Sequence, residues 1–176
     1  GNIIFDNDDV KFYDPNVVDV VKEVTIKEPI IYNEDKGNKK IVVIDCGIKN
    51  NIIRNLIKRN LTVIRVPYDY DFLTEFFDGL VISNGPGDPQ MAKETIKIIQ
   101  DLLRESIPTF GICLGSQLLA LASGGRTYKL KFGHRGQNQP VQDVISKKAI
   151  ITSQNHGFAV DSTSLGPNWQ EWFVNL

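Results

Sequence analysis

The chain has two cysteines, and one of them, Cys113, lies in the stretch GICLGSQ. GICLG has the form Gly-x-nucleophile-x-Gly, and it follows a strand-like run, IPTFGI, and opens a helix-like run, LGSQLLALA. A sharp strand-to-helix turn holds such a side chain out above a sheet, and the helix N-terminus favours a thiolate. The pattern therefore makes Cys113 a candidate nucleophile, although the five residues alone fit a small packing cysteine at a turn equally well.

A thiolate that attacks an acyl carbon creates an oxyanion, which two preorganised backbone N–H groups can stabilise. The amide of Leu114, directly after the cysteine, is one candidate donor. A second donor is expected in NGPGDP, at the end of another predicted strand, where open α/β sheets bind ligands. Gly85 and Gly87 would let the backbone approach a substrate there, and a plain tight turn is the alternative interpretation of this hexapeptide.

The hydrophobic pattern predicts the elements that must position these residues. Strands are predicted at KIVVIDCG, LTVIRVP, GLVIS and IPTFGI, and helices at NNIIRNLIKRN, MAKETIKIIQDLLRE and LGSQLLALASGG. This alternation predicts an α/β fold with an open, mostly parallel sheet and helices on both faces. Beyond Arg126, TYKLKFG, QPVQDVI and AIITSQNHGFAV predict an antiparallel extension at one edge of the sheet. Cys46 ends the first strand and is interpreted as a packing residue.

Composition excludes several classes of protein. A chain of 176 residues with 41% hydrophobic and 23% charged residues is typical of one globular domain. Its formal net charge of -1 provides no basic field for nucleic acid or an anionic membrane. No apolar run approaches the length of a membrane span, and no signal-peptide pattern opens the chain. Two cysteines without CxxC spacing indicate neither a disulfide framework nor a zinc site, so a cytoplasmic protein without a metal is expected.

The segment FYDPNVVDVVKEVTIKEPIIYNEDKGN is typical of a connection, because prolines and a polar end bracket short apolar clusters. We therefore place a domain boundary near Lys39. Residues 1–38 are interpreted as the end of a small N-terminal domain with its linker, and residues 39–176 as the main domain. The chain lacks an initiator Met, which suggests a processed or excised segment.

Three stretches together closely resemble the glutaminase domain of carbamoyl-phosphate synthetase, a class I glutamine amidotransferase. They are FDGLVISNGPGDP, IPTFGICLGSQLLALASGGRTYKLKFGHRGQNQPV and TSQNHGFAVD. Other class I amidotransferases share SNGPGDP and GICLG in weaker form, whereas KFGHRGQNQPV followed by SQNHGFAVD is more specific. The resemblance runs from about Phe12 to the C-terminus, and it includes the connecting segment.

The resemblance implies that Cys113 attacks the side-chain amide of L-glutamine, forms a glutamyl thioester and releases ammonia, after which water frees glutamate. The amides of Gly85 and Leu114 would form the oxyanion hole. The implied substrate-binding positions are Gly85, Gly87, Leu114, Gln117, Asn155, Gly157 and Phe158. No cofactor is expected in this domain. The ammonia would pass to a synthetase, either a large subunit or a fused domain, that uses ATP and bicarbonate in pyrimidine or arginine synthesis.

Two departures from the family pattern stand out. Ser116 replaces a common His, which we expect to tune rather than abolish activity. The general base and its orienting acid lie, in the family, in a His-Pro-Glu motif that these 176 residues do not contain. Either His134 or His156 substitutes, or residues outside this sequence complete the triad. His156 is interpreted as a structural neighbour of the site, so we expect the chain alone to be slow or inactive.

A truncated C-terminus would leave apolar residues partly exposed where the missing segment packs, and those expected are Trp169, Trp172 and Phe173. Two alternative functions stay open. One is an amidotransferase that feeds ammonia to anthranilate or guanine-nucleotide synthesis. The other is a non-catalytic regulatory or docking domain, which the absent His-Pro-Glu favours and the retained Cys113 disfavours. A flavin- or nucleotide-binding domain is disfavoured, because neither GxGxxG nor a P-loop follows the first strand.

Overall fold

The computed structural model describes residues 13–34, 36–71 and 76–176. Its main sheet has five strands in the order β1-β3-β2-β4-β5. The strands are β1 (Ile30–Tyr32), β2 (Lys40–Asp45), β3 (Thr62–Pro67), β4 (Gly79–Ile82) and β5 (Thr109–Gly111). All neighbouring pairs are parallel except β1 with β3, which is antiparallel. The prediction of an open, mostly parallel sheet is confirmed.

Four helices accompany this sheet: α1 (Val21–Val24), α2 (Asn50–Ile57), α3 (Lys93–Leu102) and α4 (Leu114–Ala122). The apolar stripe of α2 buries Ile53 against one face of the sheet, next to Val43. Helices α3 and α4 cover the opposite face, where Ile99 and Leu118 are fully buried beside Ile44. Helices therefore lie on both faces, as the alternating pattern predicted.

The central strand β2 shows how the sheet is fixed. Val42 and Ile44 pack into the core cluster on one face, and Val43 between them packs into the cluster on the other. Successive strand side chains point to opposite faces, and a strand covered on both faces reads as a continuous apolar run. Full burial of each such side chain stabilises the fold by about 1.5–3 kcal/mol. The carboxyl ends of β2, β4 and β5 are thereby held side by side.

The segments predicted as strands beyond Arg126 are extended, but TYKLKFG and QPVQDVI belong to one continuous strand and not to two, and the strands form a sheet of their own. This second sheet is antiparallel, in the order β7-β6-β8. Its members are β6 (Arg126–Asp143), β7 (Ala149–Asp161) and β8 (Phe173–Asn175). Strands β6 and β7 are joined by a short turn in which Asp143 Oδ1 accepts hydrogen bonds from the Ile145 and Ser146 amides. Strand β6 lies between β7 and β8, and none of these three strands pairs with a strand of the main sheet, so they do not extend its edge.

The described part of the predicted linker packs against the main domain. Strand β1 pairs with β3, and Val21 is buried in the core. The amide of Ile26 donates to Asp45 Oδ2 at 2.9 Å, and the amide of Tyr68 donates to Thr25 Oγ1 at 3.1 Å. Residues 1–12 and 35 of that segment lie outside the described residues. The domain boundary near Lys39 stays a prediction.

Within the described ranges, no helix is long and apolar enough to cross a membrane.

Candidate active site

Cys113 lies at a strained turn between β5 and α4. Strand β5 ends at Gly111, α4 begins at Leu114, and Cys113 between them has φ 53° and ψ −108°. A non-glycine residue held in such a sparsely populated region costs of the order of 1–3 kcal/mol, which the surrounding structure must offset. The cysteine is exposed, whereas the two residues that follow it are buried. The turn thus holds the thiol at the carboxyl edge of the sheet.

The two glycines that flank Cys113 are required by close backbone contacts. A Cβ atom on Gly115 would lie 2.1 Å from the carbonyl oxygen of Ile82, in β4. A Cβ atom on Gly111 would lie 2.6 Å from the carbonyl carbon and oxygen of Gly115 itself. Helix α4 therefore starts directly against the backbone of the neighbouring strand. This contact explains the spacing of the Gly-x-Cys-x-Gly pattern.

The NGPGDP segment follows β4 and lies against the Cys113 turn. A Cβ atom on Gly85 would lie 2.1 Å from the Cys46 carbonyl oxygen and 2.6 Å from Leu114 Cδ2. Asn84 fixes this loop, since its Oδ1 accepts a hydrogen bond from the Lys49 amide at 3.1 Å. The buried Ser83 supports the same loop by donating from Oγ to the Asn84 carbonyl oxygen at 2.8 Å.

Two backbone amides near the thiol are available to a ligand. Among the described residues, no acceptor takes a hydrogen bond from the Gly85 amide or the Leu114 amide. Leu114 is the first residue of α4, where N–H groups have no partner within the helix. The two residues are close in space, since a Cβ atom on Gly85 would lie 2.6 Å from Leu114 Cδ2, and an oxyanion hole consists of such backbone donors directed at one oxygen. Their assignment to that role stays a prediction.

These loops form one side of a cleft of about 800 Å³, and the hairpin of β6 and β7 forms another. Cys113 lines the cleft together with every position that the sequence analysis assigned to substrate binding. Those positions are Gly85, Gly87, Leu114, Gln117, Asn155, Gly157 and Phe158. The fold thus brings all the proposed site residues to one cavity, although they are spread over 74 positions of the chain.

Hydrogen bonds tie the hairpin to α4. Gln117 Nε2 donates to the Phe158 carbonyl oxygen at 2.7 Å, and both residues are buried. Cys113 Sγ lies 4.0 Å from the Asn155 carbonyl oxygen. The thiol is therefore fixed relative to β7 as well as to the main sheet.

The histidines of the chain are positioned beside the site but are not bonded to the thiol. His156 lines the cleft, and its Nδ1 lies 2.8 Å from the Phe158 carbonyl oxygen. Its Nε2 lies 2.9 Å from Gln154 Oε1, so both ring nitrogens have a described partner. The ring packs edge-on against His134, with centroids 4.9 Å apart. Neither histidine forms a hydrogen bond with Cys113 within the described residues, which agrees with the interpretation of His156 as a structural neighbour.

The cleft is cationic. Four basic residues line it, and its described lining residues include neither aspartate nor glutamate. The basic residues are Lys49, Lys129, Lys131 and Arg135. Because the whole chain has a net charge of only -1, this local concentration follows from the fold and not from the composition. Such a cavity favours a ligand that presents an anionic group.

Cys46 differs from Cys113 in every respect that matters for reactivity. It is fully buried, and its amide donates to Ser83 Oγ at 2.9 Å. Burial raises the pKa of the Cys46 thiol far above its ordinary value, and the nearby Asp45 carboxylate adds to this shift. The thiol therefore stays neutral and inert, as expected of a packing residue.

Sequence reasoning missed Pro15 and Asn16, which also line the cleft. Both belong to the segment interpreted as a connection. The only local signal was the Asp-Pro-Asn sequence, which is typical of a turn and says nothing about what the turn faces.

Comparisons with known proteins agree with this geometry. The family model described as "Glutamine amidotransferase class-I" matches residues 42–176. The carbamoyl phosphate synthase small chain of Methanocaldococcus jannaschii is 52% identical over 169 residues, which are 94% of this chain and 48% of that protein. The multifunctional protein CAD of Squalus acanthias is 48% identical over 180 residues, covering 99% of this chain and 8% of that protein. The mitochondrial carbamoyl-phosphate synthase [ammonia] of Aquarana catesbeiana is 45% identical over all of this chain and 12% of its own length.

The chain therefore spans about half the length, or less, of these relatives. Among solved structures, a glutamine amidotransferase from Thermotoga maritima matches with a TM-score of 0.61 at 21% identity, covering 76% of this chain and 66% of that one. At that identity the likeness shows a shared fold.

Proposed function

The chain belongs to the class I glutamine amidotransferase family, and from this premise we propose that it performs the glutamine-hydrolysing step of a carbamoyl-phosphate synthase. The observation that carries the proposal is an exposed Cys113 at a strained turn, in one cleft with two unpaired backbone amides. The 52% identity to a carbamoyl phosphate synthase small chain supports this choice over an amidotransferase of another biosynthetic pathway.

In the proposed reaction, the thiolate of Cys113 attacks the side-chain carbonyl carbon of glutamine, and the carbonyl oxygen becomes an oxyanion held by the Gly85 and Leu114 amides. The carbon–nitrogen bond then breaks, and the nitrogen takes up a proton and leaves as ammonia. A water molecule attacks the remaining thioester, the carbon–sulfur bond breaks, glutamate is released, and the Cys113 thiol is restored. Removal of one such oxyanion donor reduces kcat about 10²–10³-fold in other enzymes.

The other end of the substrate is a zwitterion, which requires polar partners. We assign this role to backbone groups of Gly87, Gly157 and Phe158 and to the side-chain amides of Gln117 and Asn155, because these residues line the cleft. The four cationic side chains around them would attract the α-carboxylate. A cleft lined by polar and cationic groups is expected to bind an amino acid more tightly than an amide that has no charged groups.

We assign the general base to the His-Pro-Glu motif found in the family that this chain resembles. The contacts of His156 support this assignment, since its two ring nitrogens lie against Phe158 and Gln154 and not against the thiol. General-base catalysis typically contributes about 10²–10⁴-fold. Without that motif, the 176 residues would therefore bind glutamine but hydrolyse it slowly.

The partner in the proposed function is a synthetase, either a separate large subunit or a domain of the same polypeptide, in the cytoplasm. Relatives of both kinds exist, because one is named a small chain and another a multifunctional protein. The synthetase would use ATP and consume the ammonia, and the glutaminase part would need no cofactor. The carbamoyl phosphate would serve pyrimidine or arginine synthesis.

The test is the activity of the whole protein with its synthetase, assayed with glutamine and with ammonium chloride as nitrogen donors. We expect Cys113→Ala to abolish glutamine-dependent carbamoyl phosphate formation and to leave ammonia-dependent formation unchanged. A Cys46→Ala variant is the matched control, and it should keep both activities. Glutamine-dependent synthesis that survives in the Cys113→Ala protein would refute the proposed nucleophile.

A non-catalytic docking domain of the same fold is the second candidate. The observation that favours it is the 45% identity to a relative whose name specifies ammonia. This function predicts that the unsubstituted protein uses ammonia and not glutamine. The same assay therefore separates the two candidates.

A further inference from the structure

A third wall of the cleft comes from the segment that precedes the main domain. Pro15 and Asn16 line the cleft, and Asn16 is half-buried. Asp14 Oδ1 accepts two hydrogen bonds from Asn16, one from the backbone amide at 2.9 Å and one from Nδ2 at 2.6 Å. The amide of Val17 donates to the Asp14 carbonyl oxygen at 3.3 Å. The Asp-Pro-Asn turn is thus closed, and the side-chain amide of Asn16 is locked.

This turn is fixed against the glycine-containing loops of the site. A Cβ atom on Gly87 would lie 3.4 Å from Val20 Cβ and 3.5 Å from the Pro15 carbonyl oxygen. A Cβ atom on Gly47 would lie 2.9 Å from Val24 Cγ2. The position of Asn16 relative to the substrate loop is therefore set by contacts of the turn itself and of the residues that follow it.

The charges in the cleft pose a recognition problem for a zwitterionic substrate. Its α-carboxylate has four basic side chains available, but the α-ammonium group finds no carboxylate among the described residues that line the cleft. Neutral oxygens must therefore accept its hydrogen bonds. Gln117, Asn155 and Asn16 line the cleft, and each has a side-chain oxygen without a described donor. Asn84 is unsuitable, since its Oδ1 already takes the Lys49 amide.

Asn16 has an oxygen that is suited to this task. Because Asp14 can only accept, the atom of the Asn16 amide that faces it must be Nδ2, and Oδ1 is left without a described donor. Hydrogen bonds from Asn16 lower the pKa of Asp14, with a further effect from Lys129, so the carboxylate is ionised at neutral pH. A negative charge that pulls on Nδ2 increases the electron density on Oδ1, which strengthens it as an acceptor.

We propose that Asn16 Oδ1 accepts a hydrogen bond from the α-ammonium group of glutamine, and that Asp14 positions and polarises the Asn16 amide. Asn16 is then a specificity-determining residue for α-amino acids, and Asp14 is a positioning residue. This inference rests on the proposed function, because it takes glutamine as the ligand of the cleft.

The test compares two ligands that differ only at the inferred contact: glutamine, and 4-carbamoylbutanoate, which is glutamine without the α-amino group. Binding is measured by titration calorimetry in a Cys113→Ala background, where no turnover occurs. Because Asn16→Ala removes a hydrogen bond to a charged group, it should weaken glutamine binding roughly tenfold or more. The affinity for 4-carbamoylbutanoate should change less than about twofold.

Two further variants make the result specific. Asp14→Asn removes the charge behind the amide, and it should weaken glutamine binding alone, by a smaller factor than Asn16→Ala. Asn51→Ala is the control, since Asn51 is exposed on α2 and outside the cleft lining. It should leave both affinities unchanged. Circular dichroism of each variant verifies that the fold is kept.

Equal weakening of both ligands by Asn16→Ala would overturn the inference, because a loosened cleft wall affects either ligand alike. Unchanged glutamine binding would overturn it too. Either result leaves the proposed function intact, provided that the Cys113→Ala protein binds glutamine. Failure of that protein to bind glutamine at all would instead refute the proposed function.

Discussion

The strained backbone conformation at Cys113 is expected to lower the free energy of unfolding of the protein. The residue has φ 53° and ψ −108°, and its side chain is exposed, so little burial energy is lost when it is replaced. Cys113→Ala keeps the Cβ atom and hence the strain. Cys113→Gly removes the Cβ atom, and glycine adopts positive φ without a steric penalty. The two variants therefore differ mainly in backbone strain.

The magnitude follows from two opposing contributions. Relief of the strain is worth about 1–3 kcal/mol, whereas the extra entropy of glycine in the unfolded chain costs about 0.5–1 kcal/mol. The Cys113→Gly protein should therefore be at least as stable as the Cys113→Ala protein, with an advantage of up to about 2.5 kcal/mol. For a chain of this size, a gain of 1 kcal/mol in stability raises the thermal unfolding midpoint, Tm, by about 2–4 °C.

Urea unfolding of the two variants, followed by circular dichroism, measures this difference. Ser116 supplies the matched control, because it is exposed in the first turn of α4 and, unlike Cys113, does not have a positive φ. There the order must be reversed, with Ser116→Gly about 1 kcal/mol less stable than Ser116→Ala. If Cys113→Gly is destabilised relative to Cys113→Ala as much as the Ser116 pair is, the backbone at Cys113 is not strained.

Two further predictions concern the packing of the site. Gly115→Ala would place a Cβ atom 2.1 Å from the Ile82 carbonyl oxygen, so α4 would have to shift. We expect a loss of about 1–3 kcal/mol in the free energy of unfolding, measured in urea, and a weaker affinity for glutamine. An unchanged stability would contradict the close contact. Iodoacetamide at pH 8 should modify Cys113 alone in the folded protein and both cysteines in denaturant, because burial keeps the Cys46 thiol neutral. Mass spectrometry after proteolysis identifies the site, and labelling of native Cys46 would show that it is accessible.

The main sheet and the Cys113 turn were predictable because their signals are local. Continuous apolar runs such as Ile41–Ile44 are typical of strands covered on both faces, and glycine spacing around Cys113 is dictated by one strand–helix contact. The site positions outside that turn were identified by resemblance to a family. The structure brings them to the same cleft.

Three features could not be predicted, because each depends on contacts between distant segments. Strand β1 is only three residues long and follows Pro29, so its pairing with β3 has no pattern of its own. The second sheet arises because β6 and β7 pair with each other, and sequence alone does not give the partner of a strand. The place of Asn16 in the cleft depends on packing of the preceding segment against Gly87.

The exposed aromatic residues near the C-terminus were also expected. Trp172 is 62% exposed and Phe173 is 46% exposed, and their rings stack with centroids 5.7 Å apart. Trp169 is 41% exposed.

The central claim is that Cys113 is the nucleophile of a glutamine-specific cleft, and covalent labelling tests it most directly. The reagent is a glutamine analogue that has a diazomethyl ketone in place of the side-chain amide, and intact-protein and peptide mass spectrometry locates the adduct. We predict one adduct, on Cys113, that excess glutamine prevents and excess 4-carbamoylbutanoate prevents less well. An adduct on Cys46, or one on Cys113 that glutamine does not prevent, would contradict the claim.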